Sequence, residues 1–414
     1  MKIAYVVSDL TYPPREGLHQ QTILLISSLL RRGHQVDVFG FVKDQDKLDE
    51  QALFEETGIR FQTQPLASRN SVLAQALSQL PSKLLGSTNR AAAPLLKDLV
   101  EGEYDVFHLE GISACLVLDR RSARRAVHSF VDPGSRRFLR MARNRKGVAV
   151  RSKALVAALT YFVLESLVQS RQRVCHVVSE SDQRYIRRYF PRSKVQAIPV
   201  MLPPEFNDAS VTASAARPTE TLDVLFFCDL RLQHMRQALN TILREILSRD
   251  VPQTTHGYKI LGRVARDDMI EETLRGRKYE LISWVDDYQS ALSACDILIL
   301  PDSVGTGLKN RAIQGLWSGA AVLGTGVAFE GIPVVKDTHA AIAVDANDFA
   351  EQFSRLMTDA GLRQRLGRNG HNFAVENYSE ARVTDAWESL YAGLIDAEYT
   401  RKKRDPSFRS LIGG

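Results

Sequence analysis

The sequence predicts an α/β protein built from two Rossmann-like, doubly wound domains. Three observations carry this expectation. At ~150 residues per domain, 414 residues allow two or three domains, and 44% apolar with 25% charged residues is the balance of a soluble globular chain. Short apolar runs alternate with helical patterns along the chain, which is the rhythm of parallel βα units. A small, polar stretch at 207–220, NDASVTASAARPTE, interrupts that rhythm once, and the rhythm then restarts.

Residues 1–8, MKIAYVVS, read as a first buried strand. Leu18, Thr22, Leu25, Ile26 and Leu29 then recur at helical spacing, and Gly33 stands where a left-handed C-cap belongs, behind Arg31 and Arg32 at the negative end of the helix dipole. Residues 34–42, HQVDVFGFV, supply a second strand and complete a βαβ unit. Further strands are expected at 104–109, 126–131, 173–178 and 195–200, with Ser179 as the N-cap of a helix over 182–189. These place a first domain at 1–205, a linker at 206–220 and a second domain at 221–380. In the second domain, strands are expected at 222–227, 258–261, 279–282, 297–300 and 321–323. A last helix over 380–400 shows Val383, Trp387, Leu390, Tyr391 and Leu394 on one face, which suits packing back on the first domain; 400–414 is a basic tail.

Several function classes are excluded. Cys115, Cys175, Cys228 and Cys295 lie far apart without CxxC or Cys/His metal spacing, so they read as reduced core residues. The apolar run after Lys2 spans only 3–7, too short for a signal peptide, so a cytoplasmic protein is expected. The longest membrane candidate, 154–168, carries Thr160, Tyr161, Glu165 and Ser166 and is shorter than the ~18–20 residues that span a bilayer. No GxGxxG follows the first strand, which removes a dehydrogenase.

The net charge of +6 is unevenly spread. Residues 1–200 hold 30 Lys or Arg against 19 Asp or Glu, hence +11, and 201–414 hold 24 against 29, hence −5. Twelve of the cations and a single acid, Asp132, fall within 120–153. Such a field favours an anionic partner; an anionic membrane surface is expected rather than nucleic acid, because no nucleic-acid module accompanies the charge.

The chemistry concentrates in 296–333, DILILPDSVGTGLKNRAIQGLWSGAAVLGTGVAFEGIP. A strand ends at Pro301, and a loop with Gly305, Thr306 and Gly307 leads through Leu308 to a helix that starts near Lys309. Glycines allow close backbone approach to a ligand, and a helix N-terminus with an adjoining lysine suits phosphate oxygens. A plain strand-to-helix turn with a solvated lysine has the same spacing.

Together with the amino-terminal VSDLTYPPREG and RGHQVDVF, the stretch SWVDDYQSALSACDILILPDSVGTGLKNRAIQGLWSGAAVLGT resembles the retaining glycosyltransferases of the GT-B fold, those of group 1 that serve bacterial surface and exopolysaccharide assembly. The resemblance covers most of the chain except 45–100. It implies a nucleotide-diphosphate-sugar co-substrate bound mainly by the second domain, a glycan or lipid-linked acceptor, and no metal or other cofactor.

Carried over by position, Gly305 to Lys309 would surround the donor, with Lys309 on the diphosphate. Thr306 and Gln314 stand where many relatives have two glutamates; an amide can still bond ribose hydroxyls, but without charge-assisted strength. Arg231, with Arg263 as the competing candidate, would face the diphosphate, Val285 in WVDD would flank the nucleobase, and Glu330 would be a further donor contact. Gly17 holds the position of the family's glycine loop, although Glu16 replaces the usual adjacent glycine. In DVFHLEG, His108 and Glu110 share one face of a strand end, where an acid or base could assist the acceptor hydroxyl. A core histidine and a helix cap fit the same positions. Two further segments, 132–137 and 179–180, resemble cleft-lining turns. The pairs Asp267-Asp268 and Asp286-Asp287 lack Asp-x-Asp spacing, which favours metal-independent chemistry. A degenerate GT-B binding or scaffold protein and a sugar-nucleotide epimerase share this pattern.

Overall fold

Two all-parallel sheets organise the chain, one in each of two units: Met1–Met201 with Val383–Gly414, and Leu202–Arg382. The computed structural model describes all residues except 8–9, 15–16, 43–47, 66–101, 112–121, 145–146, 172–173, 204–205, 207–221, 250–254, 265, 284, 286–287, 304–306 and 405–414. The polar stretch 207–220 therefore lies outside the described residues, as does Cys115.

The first unit runs β1 (Lys2–Val7), α1 (Gly17–Arg31), β2 (Gln35–Val42), α2 (Glu50–Thr57), β3 (Phe61–Pro65), β4 (Val106–Glu110), β5 (Ala126–Val131), α3 (Gly134–Asn144), α4 (Val148–Arg171), β6 (Val174–Val177), α5 (Glu180–Tyr189) and β7 (Val195–Ala197). Its strands lie in the order β3-β2-β1-β4-β5-β6-β7. Ile3 to Val7 and Val106 to Glu110 are buried throughout, as expected of central strands covered on both faces. Helix α1 ends as its sequence dictates, with Gly33 in the left-handed region at φ 81.

The final helix, α12 by chain order (Glu380–Arg404), belongs to this unit from Val383 on. Val383, Trp387, Leu390, Tyr391 and Leu394 join the core formed by β1, α1 and β2. Around that apolar seam, Ser28 meets Thr384 at 2.8 Å, and Glu388 pairs with Arg32 and His34, each at 2.7 Å.

The second unit runs β8 (Leu222–Phe227), α6 (Gln233–Leu247), β9 (Thr255–Leu261), α7 (Asp268–Thr273), β10 (Tyr279–Ile282), α8 (Tyr288–Ser293), β11 (Ile297–Leu300), α9 (Asn310–Trp317), β12 (Ala321–Thr325), β13 (Ala341–Ala343), α10 (Ala346–Thr358) and α11 (Ala360–Tyr378). Its order is β10-β9-β8-β11-β12-β13. Val224, Phe226, Ile297, Ile299 and Leu323 face Leu239, Leu243, Phe349 and Phe353 in one core.

Two strands and one long helix escape a reading of periodicity. FQTQP of β3 is a polar-rich edge strand, and AIA of β13 is three residues long, so neither offers a run to recognise. Residues 154–168, an amphipathic stretch expected in sequence to face an anionic membrane with 120–153, are the middle of the 24-residue helix α4.

Candidate functional site

In the second unit the strand order reverses between β8 and β11, so the connections leave their carboxyl ends in opposite directions. Loops diverge at such a switch point and leave a crevice that binds ligands in open parallel sheets. Here those loops are 228–232 after β8 and 301–309 after β11.

Lys309 is the N-cap of α9, in extended backbone with φ −102 and ψ 107, and makes no side-chain cap bond. The Ala312 N–H bonds the Lys309 carbonyl at 2.9 Å, so without a side-chain cap the Asn310 and Arg311 N–H groups and the positive end of the helix dipole are what this turn offers an anion. The Lys309 ammonium donates to the Gly307 carbonyl at 2.7 Å, which folds the charge over its own loop. Gly307 has φ 73, a conformation that suits glycine at this turn. Gly307, Leu308, Lys309 and Gln314 thus share one loop and the helix it opens, with Gln314 buried on α9. Gly305 and Thr306 lie outside the described residues.

Two residues not singled out from the sequence hold this loop. Asp302, 1% exposed, pairs with Arg311 of the first turn of α9, and its carbonyl accepts the Thr325 hydroxyl at the end of β12. One aspartate therefore ties together the end of β11, the start of α9 and the end of β12. The signal in sequence was slight: an acid after the apolar ILILP and an arginine nine residues on.

Arg231 and Arg263 converge on Asp229. Arg231 bonds its carboxylate through Nε at 2.9 Å and a terminal nitrogen at 2.6 Å. Burial pushes the Asp229 carboxyl up, but the Arg231 bonds and the nearby Arg263 charge outweigh it and hold the carboxyl below its ordinary value. Arg263 is exposed and has φ 61, an uncommon conformation for a residue with a Cβ. Strands β8 and β9 are neighbours, so both arginines stand at the same end of the sheet. Val285 follows β10, two strands from β8 at the sheet edge, and Glu330 sits in the turn after β12, its N–H bonded to the Val327 carbonyl at 3.3 Å.

The first unit has its own switch point, between β1 and β4. Gly17 opens α1 beside it, and Glu110 ends β4. Glu110 accepts from the Tyr5 hydroxyl at 2.8 Å and the Thr22 hydroxyl at 2.7 Å; burial holds its carboxyl above the ordinary value, against those two bonds. His108 is enclosed. Its ring stacks on Tyr5 at 4.0 Å, lies 4.7 Å from Trp387, and its Nδ1 meets the Tyr391 hydroxyl at 2.7 Å. Burial, then the neighbouring His176 and His128, push it well below the ordinary histidine range, so it stays neutral. These contacts correct the expectation that His108 presents an acid or base to an acceptor: α12 seals the ring into the core. Glu110 does lie on the same face of β4, but it is spent on α1 and β1.

The fold and these loops define a GT-B protein, a class confirmed by comparison with known proteins. Sucrose-phosphate synthase from Thermosynechococcus elongatus superposes with a TM-score of 0.67 at 16% identity, covering 96% of this chain and 100% of that one. Anabaena HepE in complex with UDP and glucose gives 0.64 at 12% identity, over 95% and 100%. Residues 221–359, which hold all the loops of the second unit described above, match the family Glycosyl transferases group 1. The lipopolysaccharide core biosynthesis glycosyltransferase LpsE of Rhizobium meliloti (strain 1021) is 30% identical over 113 residues, 26% of this chain and 32% of that protein. The match thus spans about a third of that relative's length.

Proposed function

We propose that the protein is a glycosyltransferase that moves a sugar from a nucleotide-diphosphate donor to a glycan or lipid-linked acceptor in polysaccharide or glycoconjugate assembly. The observation that carries this reading is the placement of cations around the β8/β11 switch, where Lys309 is the N-cap of α9 and Arg231 and Arg263 follow the neighbouring strands β8 and β9. In transfer, the bond from the anomeric carbon to the diphosphate oxygen breaks, the acceptor oxygen takes that carbon, and the acceptor's proton passes to the departing nucleoside diphosphate. Negative charge builds on the leaving diphosphate, and donors fixed beforehand around it lower the barrier. Lys309, the first-turn N–H groups of α9 and the two arginines supply those donors. These cations can balance the leaving charge without a metal ion, and retention of the anomeric configuration is what the resemblance to the retaining GT-B enzymes implies. Gly305, Thr306 and Gly307 let the backbone approach the phosphates, Gln314 bonds the ribose, and Val285 and Glu330 complete the donor contacts.

HepE, with UDP and glucose bound, supports a uridine nucleotide as the first donor to try. The protein works in the cytoplasm, at the inner face of an anionic membrane; among the described residues no helix is long and apolar enough to cross a bilayer. Gln314 and Thr306, in place of carboxylates, favour a second reading, a GT-B binding protein without turnover. Thermal-shift measurements of the purified chain against UDP-, GDP- and ADP-sugars test the first reading, followed by sugar release or transfer with the responding donor. Stabilisation by one nucleotide series and turnover are expected. Binding without turnover selects the second reading, and no response to any donor overturns both.

A further inference from the structure

Helix α4 has an outer face that its own unit leaves uncovered. Val148 is 82% and Leu159 66% exposed, and Leu155, Val156 and Val163 are about half exposed. On a helix these five fall within an arc of about 100°, the width of an amphipathic stripe, while Ala154, Ala158, Leu164 and Val168 occupy the opposite, buried face. From Val148 to Val163 the stripe is ~22 Å long. Exposed Arg151 and Lys153 border it, one on each side, and Arg137 and Arg143 of α3 are exposed on the same helical hairpin. Residues 133–164 contain eight Lys or Arg and no Asp or Glu.

The hairpin is rigid enough to act as one surface. Buried Glu165 accepts from the Ser135 N–H at 3.0 Å and from the Ser135 hydroxyl, fixing α4 to the start of α3. Gly134 lets the two helices close, since a Cβ there would stand 2.2 Å from the Tyr161 ring.

We propose that this hairpin docks on an anionic lipid bilayer, with α4 lying in the headgroup plane, its aliphatic stripe inserted and its flanking cations on lipid phosphates. The two features point to the same partner. An aliphatic stripe needs hydrocarbon, and the exposed Arg137, Arg143, Arg151 and Lys153 around it favour dense negative charge; a bilayer surface offers both. A second copy of the chain would bring cation against cation. Nucleic acid would satisfy the charge and leave the stripe in water. The surface deepens the proposed transfer to a lipid-linked acceptor and rests on it only for its purpose.

The test is co-sedimentation of the full chain with vesicles of phosphatidylcholine alone and of phosphatidylcholine with phosphatidylglycerol, alongside the thermal shift with nucleotide-sugars. Binding to the anionic vesicles, weakened by salt, is expected. Leu155→Gln with Leu159→Gln, and separately Arg151→Gln with Lys153→Gln, each lower it by about tenfold or more. All four side chains are exposed, so circular dichroism and the nucleotide-sugar shift stay unchanged. Wild-type absence of binding to anionic vesicles, variants that bind as well as wild type, or a dimer abolished by the leucine variants in a chain that ignores vesicles would each overturn the proposal. Vesicle binding without any nucleotide-sugar response upholds the surface and removes the transfer reading instead.

Discussion

The buried carboxylate of Asp302 holds the guanidinium of Arg311, and with it the first turn of the helix that Lys309 caps. Removing one partner of such a pair leaves a charge uncompensated in the interior, at about 3–5 kcal/mol. Arg311 is 24% exposed, so Arg311→Met is expected at the low end, about 3 kcal/mol in urea unfolding. Asp302→Asn added to Arg311→Met should recover part of that loss, because no orphaned carboxylate remains. Equal stability of the single and double variants would mean that the pair contributes only packing.

Lys309→Gln separates charge from structure. Its ammonium donates to the Gly307 carbonyl of its own loop rather than to a buried acid, so thermal stability should change little. Losing one charge-assisted contact to the diphosphate costs about 1.5–3 kcal/mol, or roughly tenfold to a hundredfold in donor affinity by titration calorimetry. Unchanged affinity would place the diphosphate elsewhere.

Arg231 and Arg263 can be told apart by their backbones. Arg231→Gln also strips Asp229 of its bidentate partner, so a loss of affinity there mixes two effects. Arg263 has φ 61, and a left-handed residue with a Cβ costs about 1 kcal/mol. Arg263→Gly is therefore expected to keep stability while weakening donor binding. A destabilised Arg263→Gly would show that its side chain packs rather than waits for a ligand.

How far the sequence reached follows from what periodicity records. The central strands were legible because Ile297 to Leu300 and Leu222 to Phe227 are apolar runs buried in a parallel sheet. The N-cap position of Lys309 was legible because the loop glycines and the start of the helical pattern bracket it. The Asp302–Arg311 pair was not, since two charges nine residues apart carry no period; only the fold shows that a strand end and a helix start meet. His108 misled for a related reason. Alternation places it on a face of β4, and what covers that face is Trp387 and Tyr391, more than 270 residues later in the chain.

Trp387 connects two of the buried histidines, lying 4.7 Å from His108 and 4.4 Å from His176. It anchors α12 to the first unit. Trp387→Ala should cost about 3–5 kcal/mol, as for other buried aromatics, and expose α12 to limited proteolysis. Trp387→Phe keeps a ring against both histidines and should cost less. Protease resistance of Trp387→Ala equal to wild type would show that the Glu388 pairs with Arg32 and His34 suffice to hold the helix.

Glu165 sets a pH dependence with a definite sign. It is buried behind the start of α3, and burial raises its carboxyl from 4.5 to about 7, against the Ser135 bonds that favour the charged form. Between those two values the folded chain binds a proton that the unfolded chain has released. The contribution to stability is therefore fully present below about 4.5 and is lost as pH rises through about 7. Glu165→Gln keeps an acceptor for the Ser135 N–H and carries no charge at any pH. The variant should match wild type below about pH 4.5 and exceed it by about 1–3 kcal/mol above neutrality, read from urea unfolding across the range. If wild type and Glu165→Gln keep a constant difference from acid to alkali, the carboxyl titrates alike in the folded and unfolded chain, and the Ser135 bonds with the helix dipole of α3 offset its burial.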